Sequence, residues 1–244
     1  MKRTLALKRW TYREVLSALL SGEDKERGVF LLRFFKTGPG QYGEGDQFLG
    51  LAVPYVRELA KRFENADPPV ITRLLESKYH EARLLGLLLI VRRYERAETE
   101  QEKRETVRFY LANRKGINNW DLVDLSVYKV WGDYLLHNPK EREKLYRYAA
   151  SKNLWERRMA VVATMALIKE GQYAEIFRLA EMLLLEKEDL MHKAVGWMLR
   201  ETGKKDAQAL RSFLDRFAGR LPRTALRYAI ERFPQDERLR YLSK

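Results

Sequence analysis

Residues 118–125 read Asn118-Asn119-Trp120-Asp121-Leu122-Val123-Asp124-Leu125. Two Asn residues that can cap a helix stand before an apolar-periodic run, the signature of a helix start. At about 100° per residue, Trp120, Val123, Val127, Val130, Trp131 and Tyr134 gather on one face. Leu122, Ser126, Lys129 and Asp133 fall on the other, and the spacing predicts a helix over 119–136. Trp155, 35 residues after Trp120, starts a second such run, where Asn153 followed by Glu156 resembles a capping box, and Met191 starts a third after 36 more. His80 precedes Trp120 by 40 residues, and Arg83, Arg158 and Ala194 align three residues inside their helices. A period near 35–40 with two helices per unit marks a HEAT- or TPR-like solenoid. The TPR pattern Trp-x-x-Leu-Gly is missing, which favours the HEAT-like form.

Working outward, strand signals are nearly absent. Helical periodicity covers 11–20, 24–36, 54–65, 69–77, 80–97, 99–112, 119–136, 139–150, 154–170, 174–186, 189–202, 206–217, 222–233 and 235–242. Gly22, Pro68-Pro69, Gly116, Pro139, Gly171, Gly203, Pro222 and Pro234 punctuate these runs. The expected architecture is all-α: a HEAT-like α-solenoid of antiparallel helix pairs with a concave basic groove, a single domain over 1–244. Trp120, Trp155 and Met191 would open consecutive inner helices.

Lys and Arg number 47 against 34 Asp and Glu, a net charge of +13 that calls for a polyanionic partner. With no cysteine, disulfides, thiolate zinc sites and cysteine nucleophiles are excluded. The three histidines, His80, His137 and His192, share no metal-ligand spacing, so neither metal nor cofactor is expected. There is no Gly-x-Ser-x-Gly elbow and no Walker loop. Gly38, Gly40 and Gly43 match G-x-G-x-x-G, but a helix precedes them and Glu44-Gly45-Asp46 follows, so the segment reads as a structural turn. Met1 to Trp10 has no apolar core, because Lys8 and Arg9 interrupt Leu5-Ala6-Leu7, and it does not read as a secretory signal. The longest apolar run, Leu84 to Val91, is too short to span a membrane, and the basic residues are spread over many helices. A cytoplasmic, nucleoid-associated monomer without membrane contact is the expectation.

Asp124 is the misplaced residue. It lands in the apolar stripe of its helix, where an unpaired buried charge costs several kcal/mol. One reading is an ion pair to an Arg of a neighbouring helix; the other is a functional carboxylate. Asp121, in the first turn, suits the helix dipole and reads as structural. Trp120, Trp155 and Trp197 fall on inner helices and, with Asp124 and Arg158, would form a site for a cation. Indole faces attract cations through the ring quadrupole. A basic rim around such a site describes a cationic lesion in nucleic acid.

Four blocks carry a family resemblance: Phe48-Leu49-Gly50-Leu51 with Pro54 and Arg57; Asn119-Trp120-Asp121-Leu122-Val123-Asp124; Asn153-Leu154-Trp155-Glu156-Arg157-Arg158; and Ala194-Val195-Gly196-Trp197-Met198-Leu199-Arg200-Glu201. In that order they resemble the HEAT-like-repeat DNA alkylation repair glycosylases of the AlkD type. The resemblance implies a monofunctional glycosylase that excises N3- and N7-alkylated purines, such as 3-methyladenine and 7-methylguanine, from duplex DNA, without base flipping. It implies Asp124 as the catalytic carboxylate, Trp120 and Trp197 as aromatic walls, and Arg158 as a phosphate contact. Arg157, Trp155, Arg57, Lys193 and Arg83 complete the expected DNA-binding set. Ala52 and Val53 stand where some relatives carry polar or basic residues, which leaves the N-terminal contact to Arg57, with Tyr42 a candidate for the N-terminal aromatic. Two other readings compete: a HEAT-repeat protein that binds branched or damaged DNA without chemistry, and a protein-binding scaffold.

Overall fold

A computed structural model describes residues 9–244. Met1 to Lys8, most of the segment read as lacking a secretory signal, lie outside the described residues. The described chain is helical, and its one bridge between extended residues joins Gln47 to Tyr79. None of its helices is long and apolar enough to cross a membrane. The chain forms two compact units, Met1–Leu122 and Val123–Lys244.

The first unit contains α1 (Tyr12–Leu20), α2 (Lys25–Phe34), α3 (Val53–Arg62), α4 (Pro68–Leu75), α5 (His80–Glu95) and α6 (Glu100–Ala112). Helix α5 is its spine, with α3, α4 and α6 packed around it. Its run from Ala82 to Val91 is buried on every side, as expected of a helix without a polar face. Starts are set by local chemistry. Thr11 and Thr99 each close a reciprocal capping box, with Glu14 and Glu102, and Pro68-Pro69 begin α4 where a missing N–H costs nothing.

Between α2 and α3 the chain folds back on α5. Glu81, only 2% exposed, accepts the backbone N–H groups of Leu49, Gly50 and Leu51 at 2.9, 2.9 and 3.2 Å. Gly50 lies at φ +78°, and a Cβ there would sit 2.1 Å from the Asp24 carbonyl oxygen. Only glycine fits both the dihedral and the approach.

Helix α7 (Trp120–Val127) starts in the first unit and ends in the second. A π-helical turn, Tyr128–Gly132, continues it into α8 (Asp133–His137). Then come α9 (Glu143–Ala149), α10 (Leu154–Lys169), α11 (Ala174–Met182), α12 (Asp189–Lys205), α13 (Ala207–Phe217), α14 (Arg223–Ala229) and α15 (Gln235–Leu242). Helix α10 packs against the π turn, α8, α9 and α12, and α12 packs on α14. Helices α10, α12 and α14 begin at 154, 189 and 223, repeats of 35 and 34 residues. Within this unit the helix-pair repeat is therefore real.

Two local expectations need correction. The 119–136 helix is not a uniform α-helix, because the π turn takes up an extra residue and rotates the downstream segment by roughly one residue's worth of twist. Five of the six residues of the expected stripe, Val123, Val127, Val130, Trp131 and Tyr134, are buried all the same, but the buried face is wider than drawn. Leu122 and Ser126, assigned to the outer face, are buried, while Trp120, Asp121, Asp124, Leu125 and Tyr128 are only partly covered. The pairing of Asn153 with Glu156 is also not reciprocal. Asn153 caps α10, but Glu156 turns to the Ser151 hydroxyl at 2.6 Å.

Candidate functional site

Asp124 sits on the half-covered side of α7, one turn after Trp120. Its carboxylate is held by a two-pronged guanidinium: Arg158 Nε donates to Oδ1 at 2.9 Å and Nη2 to Oδ2 at 2.8 Å. Arg158 Nη1 donates to the Leu190 carbonyl at the start of α12. The Arg158 side chain is 6% exposed and that of Asp124 17%. A bidentate fork fixes a carboxylate in both position and plane. The pairing to an Arg of a neighbouring helix is thus present, and the acid is mostly covered but not sealed.

Trp120 opens α7, and its backbone N–H donates to Asn119 Oδ1 at 2.8 Å. Its ring stacks on Phe35, with centroids 5.4 Å apart at 20°, and meets the edge of Phe34 at 6.1 Å. Next to it lies a buried relay. His80 places Nε2 2.8 Å from Asp121 Oδ2 and Nδ1 3.2 Å from Asp46 Oδ2, with its ring against both Phe35 and Phe48. Asp46 also accepts from Arg83 at 2.6 Å and from the Asn119 side-chain amide at 3.3 Å. Carboxylates only accept, so a ring facing one at each nitrogen is satisfied when both nitrogens carry protons. Burial works against that charge, but the hydrogen bonds to Asp121 and Asp46 outweigh it and raise the His80 pKa from 6.5 to about 9.

The relay predicts a pH dependence of stability. The folded pKa exceeds the unfolded one, so the contribution is complete below pH 6.5, declines between 6.5 and about 9, and is gone above. It amounts to about 3 kcal/mol. The melting temperature of the wild type should fall across that window, and a His80→Gln chain should lack this fall. Nitrogen chemical shifts showing a neutral His80 ring at about pH 7.5, inside that window, would contradict the assignment.

The other expected site residues divide into two groups. Arg83, 5% exposed, is taken up by Asp46 and the Ser77 carbonyl. Arg157 binds Glu186 at 2.7 Å and the carbonyls of Ser151 and Lys152. With Arg158, these three arginines expected at DNA make their hydrogen bonds within the protein. Arg57 on α3 is exposed, Lys193 is half-exposed beside Asp189 at 2.7 Å, and Trp155 is half-buried in the first turn of α10. Trp197, on α12, donates its indole N–H to Glu201 at 3.1 Å, and Glu201 also holds Lys204 at 2.7 Å. Tyr42 is half-buried in the glycine-rich loop. Among the described residues no cluster of His, Asp and Glu is arranged to hold a metal ion.

Sequence reading missed Phe34, Phe35, Asp46, His80 and Glu201 as neighbours of these groups. Glu201 carried a signal, since it lies four residues after Trp197 and so one turn away. Asp46 carried none, because its partners stand 34 and 37 residues further on.

Comparison with known proteins gives a consistent result. Residues 15–233 match the family described as DNA alkylation repair enzyme. A solved structure titled as a predicted DNA alkylation repair enzyme from Enterococcus faecalis has the same fold, with a TM-score of 0.68. It shares 17% identity, over 87% of this chain and 97% of that one. No curated protein matches the chain. With the family match running from α1 almost to α15, the chain belongs to the DNA alkylation repair enzyme family.

Proposed function

We propose that this chain is a monofunctional DNA glycosylase that removes positively charged N3- and N7-alkylated purines from duplex DNA, acting as a monomer. The observation that supports this most is Asp124, a carboxylate fixed by the Arg158 fork on the accessible side of α7 and one turn from Trp120. An alkylated purine carries a formal positive charge, so it leaves as a neutral base and needs no general acid. As the C1′–N bond breaks, the electron pair stays with the base and the sugar becomes oxocarbenium-like. A fixed carboxylate stabilises that charge and orients the water that adds at C1′. The water's proton passes to solvent, and an abasic site remains. Trp197, oriented by Glu201, serves as an aromatic wall toward the deoxyribose. Base extrusion is not required by this scheme.

Arg158 acts in this proposal as the holder of Asp124 rather than as a phosphate contact. Arg158→Ala is expected to abolish most excision while the salt dependence of DNA affinity stays that of the wild type. A slope in log Kd against log salt shallower by about one would make Arg158 a phosphate contact instead.

The test of the function is incubation with duplex DNA holding one 7-methylguanine, followed by alkaline cleavage. Strand breaks at the lesion support excision. One observation favours a second reading, a DNA-binding protein without chemistry: both Asp124 oxygens are already engaged by a guanidinium. Salt-sensitive DNA binding with no alkali-labile product would select it.

A further inference from the structure

Helix α2 turns an apolar side outward. Of its ten residues only Gly28 is buried, while Phe30 is 63% and Phe34 53% exposed, and Val29 and Leu32 lie open beside them. Phe30 and Phe34 are four residues apart, on one side of the helix, with ring centroids 6.2 Å apart at 20°. Phe34 then meets Trp120 at 6.1 Å and Phe35 at 5.0 Å. A continuous series of rings therefore runs from the outer surface of α2 to the first residue of α7. Lys25, Arg27, Arg33 and Lys36 are all exposed, against Glu26 in the helix and Glu23 and Asp24 just before it, and Arg33 and Lys36 flank Phe34 with no acid between them.

Exposed aromatic rings stacked in register between cations are what single-stranded nucleic-acid binders use. Bases stack on the rings, and the basic groups take the phosphates. A paired base has both faces covered by its neighbours, whereas a bulged base or one opposite an abasic site can leave the stack at little cost. We propose that the outer face of α2, centred on Phe30 and Phe34, is a stacking platform for unpaired nucleobases. The inference relies on DNA as the partner and not on the chemistry assigned to Asp124. It gives the chain a preference for duplexes carrying an unpaired base, separate from any excision.

The test uses the full chain and two fluorescein-labelled duplexes, one perfect and one with a single 2-aminopurine bulge. Anisotropy gives affinity, and 2-aminopurine emission reports stacking. The wild type should bind the bulged duplex about tenfold tighter and quench its emission. A Phe30→Ala/Phe34→Ala chain should lose both while keeping its affinity for the perfect duplex, because its cations are intact. Phe30→Leu/Phe34→Leu, which keeps apolar area without rings, should behave like the alanine chain, and Phe30→Trp/Phe34→Trp should retain both effects. Melting curves confirm folding, which two open positions should leave unchanged. Equal wild-type affinity for the two duplexes, or alanine variants indistinguishable from wild type, overturns the proposal. So does concentration-dependent dimerisation that the alanine changes abolish, since the occupant would then be a second copy. Assaying Asp124→Asn alongside keeps the two readings apart: loss of excision bears on the site chemistry, loss of the bulge preference on the platform.

Discussion

Replacing Asp124 with Asn is expected to slow excision of 7-methylguanine about 10²–10³-fold in single-turnover assays, the scale on which one preorganised charge stabiliser contributes. The amide matches the carboxylate in shape, so affinity for lesion DNA should stay close to that of the wild type. It does not match it in charge. An amide offers no full negative charge to an oxocarbenium-like sugar and orients water less strongly. The substitution also unbalances Arg158, which loses one of its two accepting oxygens and faces an amide N–H₂. That should cost about 1–3 kcal/mol of stability, so rates must be compared well below the variant's melting temperature. An unchanged single-turnover rate in a folded Asp124→Asn chain would remove Asp124 from the chemistry.

The largest effect on stability is expected at Glu81. Its one carboxylate accepts from three successive backbone N–H groups, those of Leu49, Gly50 and Leu51. In Glu81→Ala these donors stay behind in a buried pocket, and each buried donor without a partner costs about 1–3 kcal/mol. The sum is reduced by relaxation of the loop, leaving about 3–5 kcal/mol. For a chain of this size that corresponds to a fall of about 10 °C in melting temperature. Glu81→Gln should recover only part of it, because one carboxylate oxygen becomes an N–H₂ group that points donors at donors. Thermal unfolding followed by circular dichroism, with protease susceptibility between α2 and α3 as the local readout, distinguishes these outcomes. A Glu81→Ala chain melting within about 2 °C of wild type, the equivalent of less than one lost hydrogen bond, would refute the role given to this carboxylate.

How far the sequence is legible depends on the range over which each feature is encoded. Helix starts are local events. Thr11, Thr99, Asn153 and the Pro68-Pro69 pair act within one turn, and the spans they begin are found within a few residues of where they are expected. The 35-residue repeat is equally direct, since equivalent side chains recur wherever equivalent helices do. Partners far apart in the chain are another matter. Nothing near Asp46 indicates His80 or Arg83, and nothing near Arg157 indicates Glu186. Those arginines read as surface cations, but the fold uses them internally. The Phe48–Leu51 block stands out in the sequence only through resemblance. Its physical content is a turn of backbone donors around one buried carboxylate. The exposed rings of α2 give no sequence signal, because a run such as Val29-Phe30-Leu31-Leu32 is equally at home in a core.

The π turn makes the chain countable at one place. Between Tyr128 and Gly132 the helix holds one residue more than an α-helix needs, and Gly132 fits there because a Cβ would lie 2.3 Å from the Ala163 carbonyl oxygen. Deleting a single residue from this turn would regularise every backbone hydrogen bond and still be harmful. The downstream half would swing by about 100°, carrying Trp131 and Tyr134 out of the core and bringing polar positions in. Loss of one residue here is a frameshift in three dimensions: the local structure reads more regularly afterwards, and everything after it is out of phase.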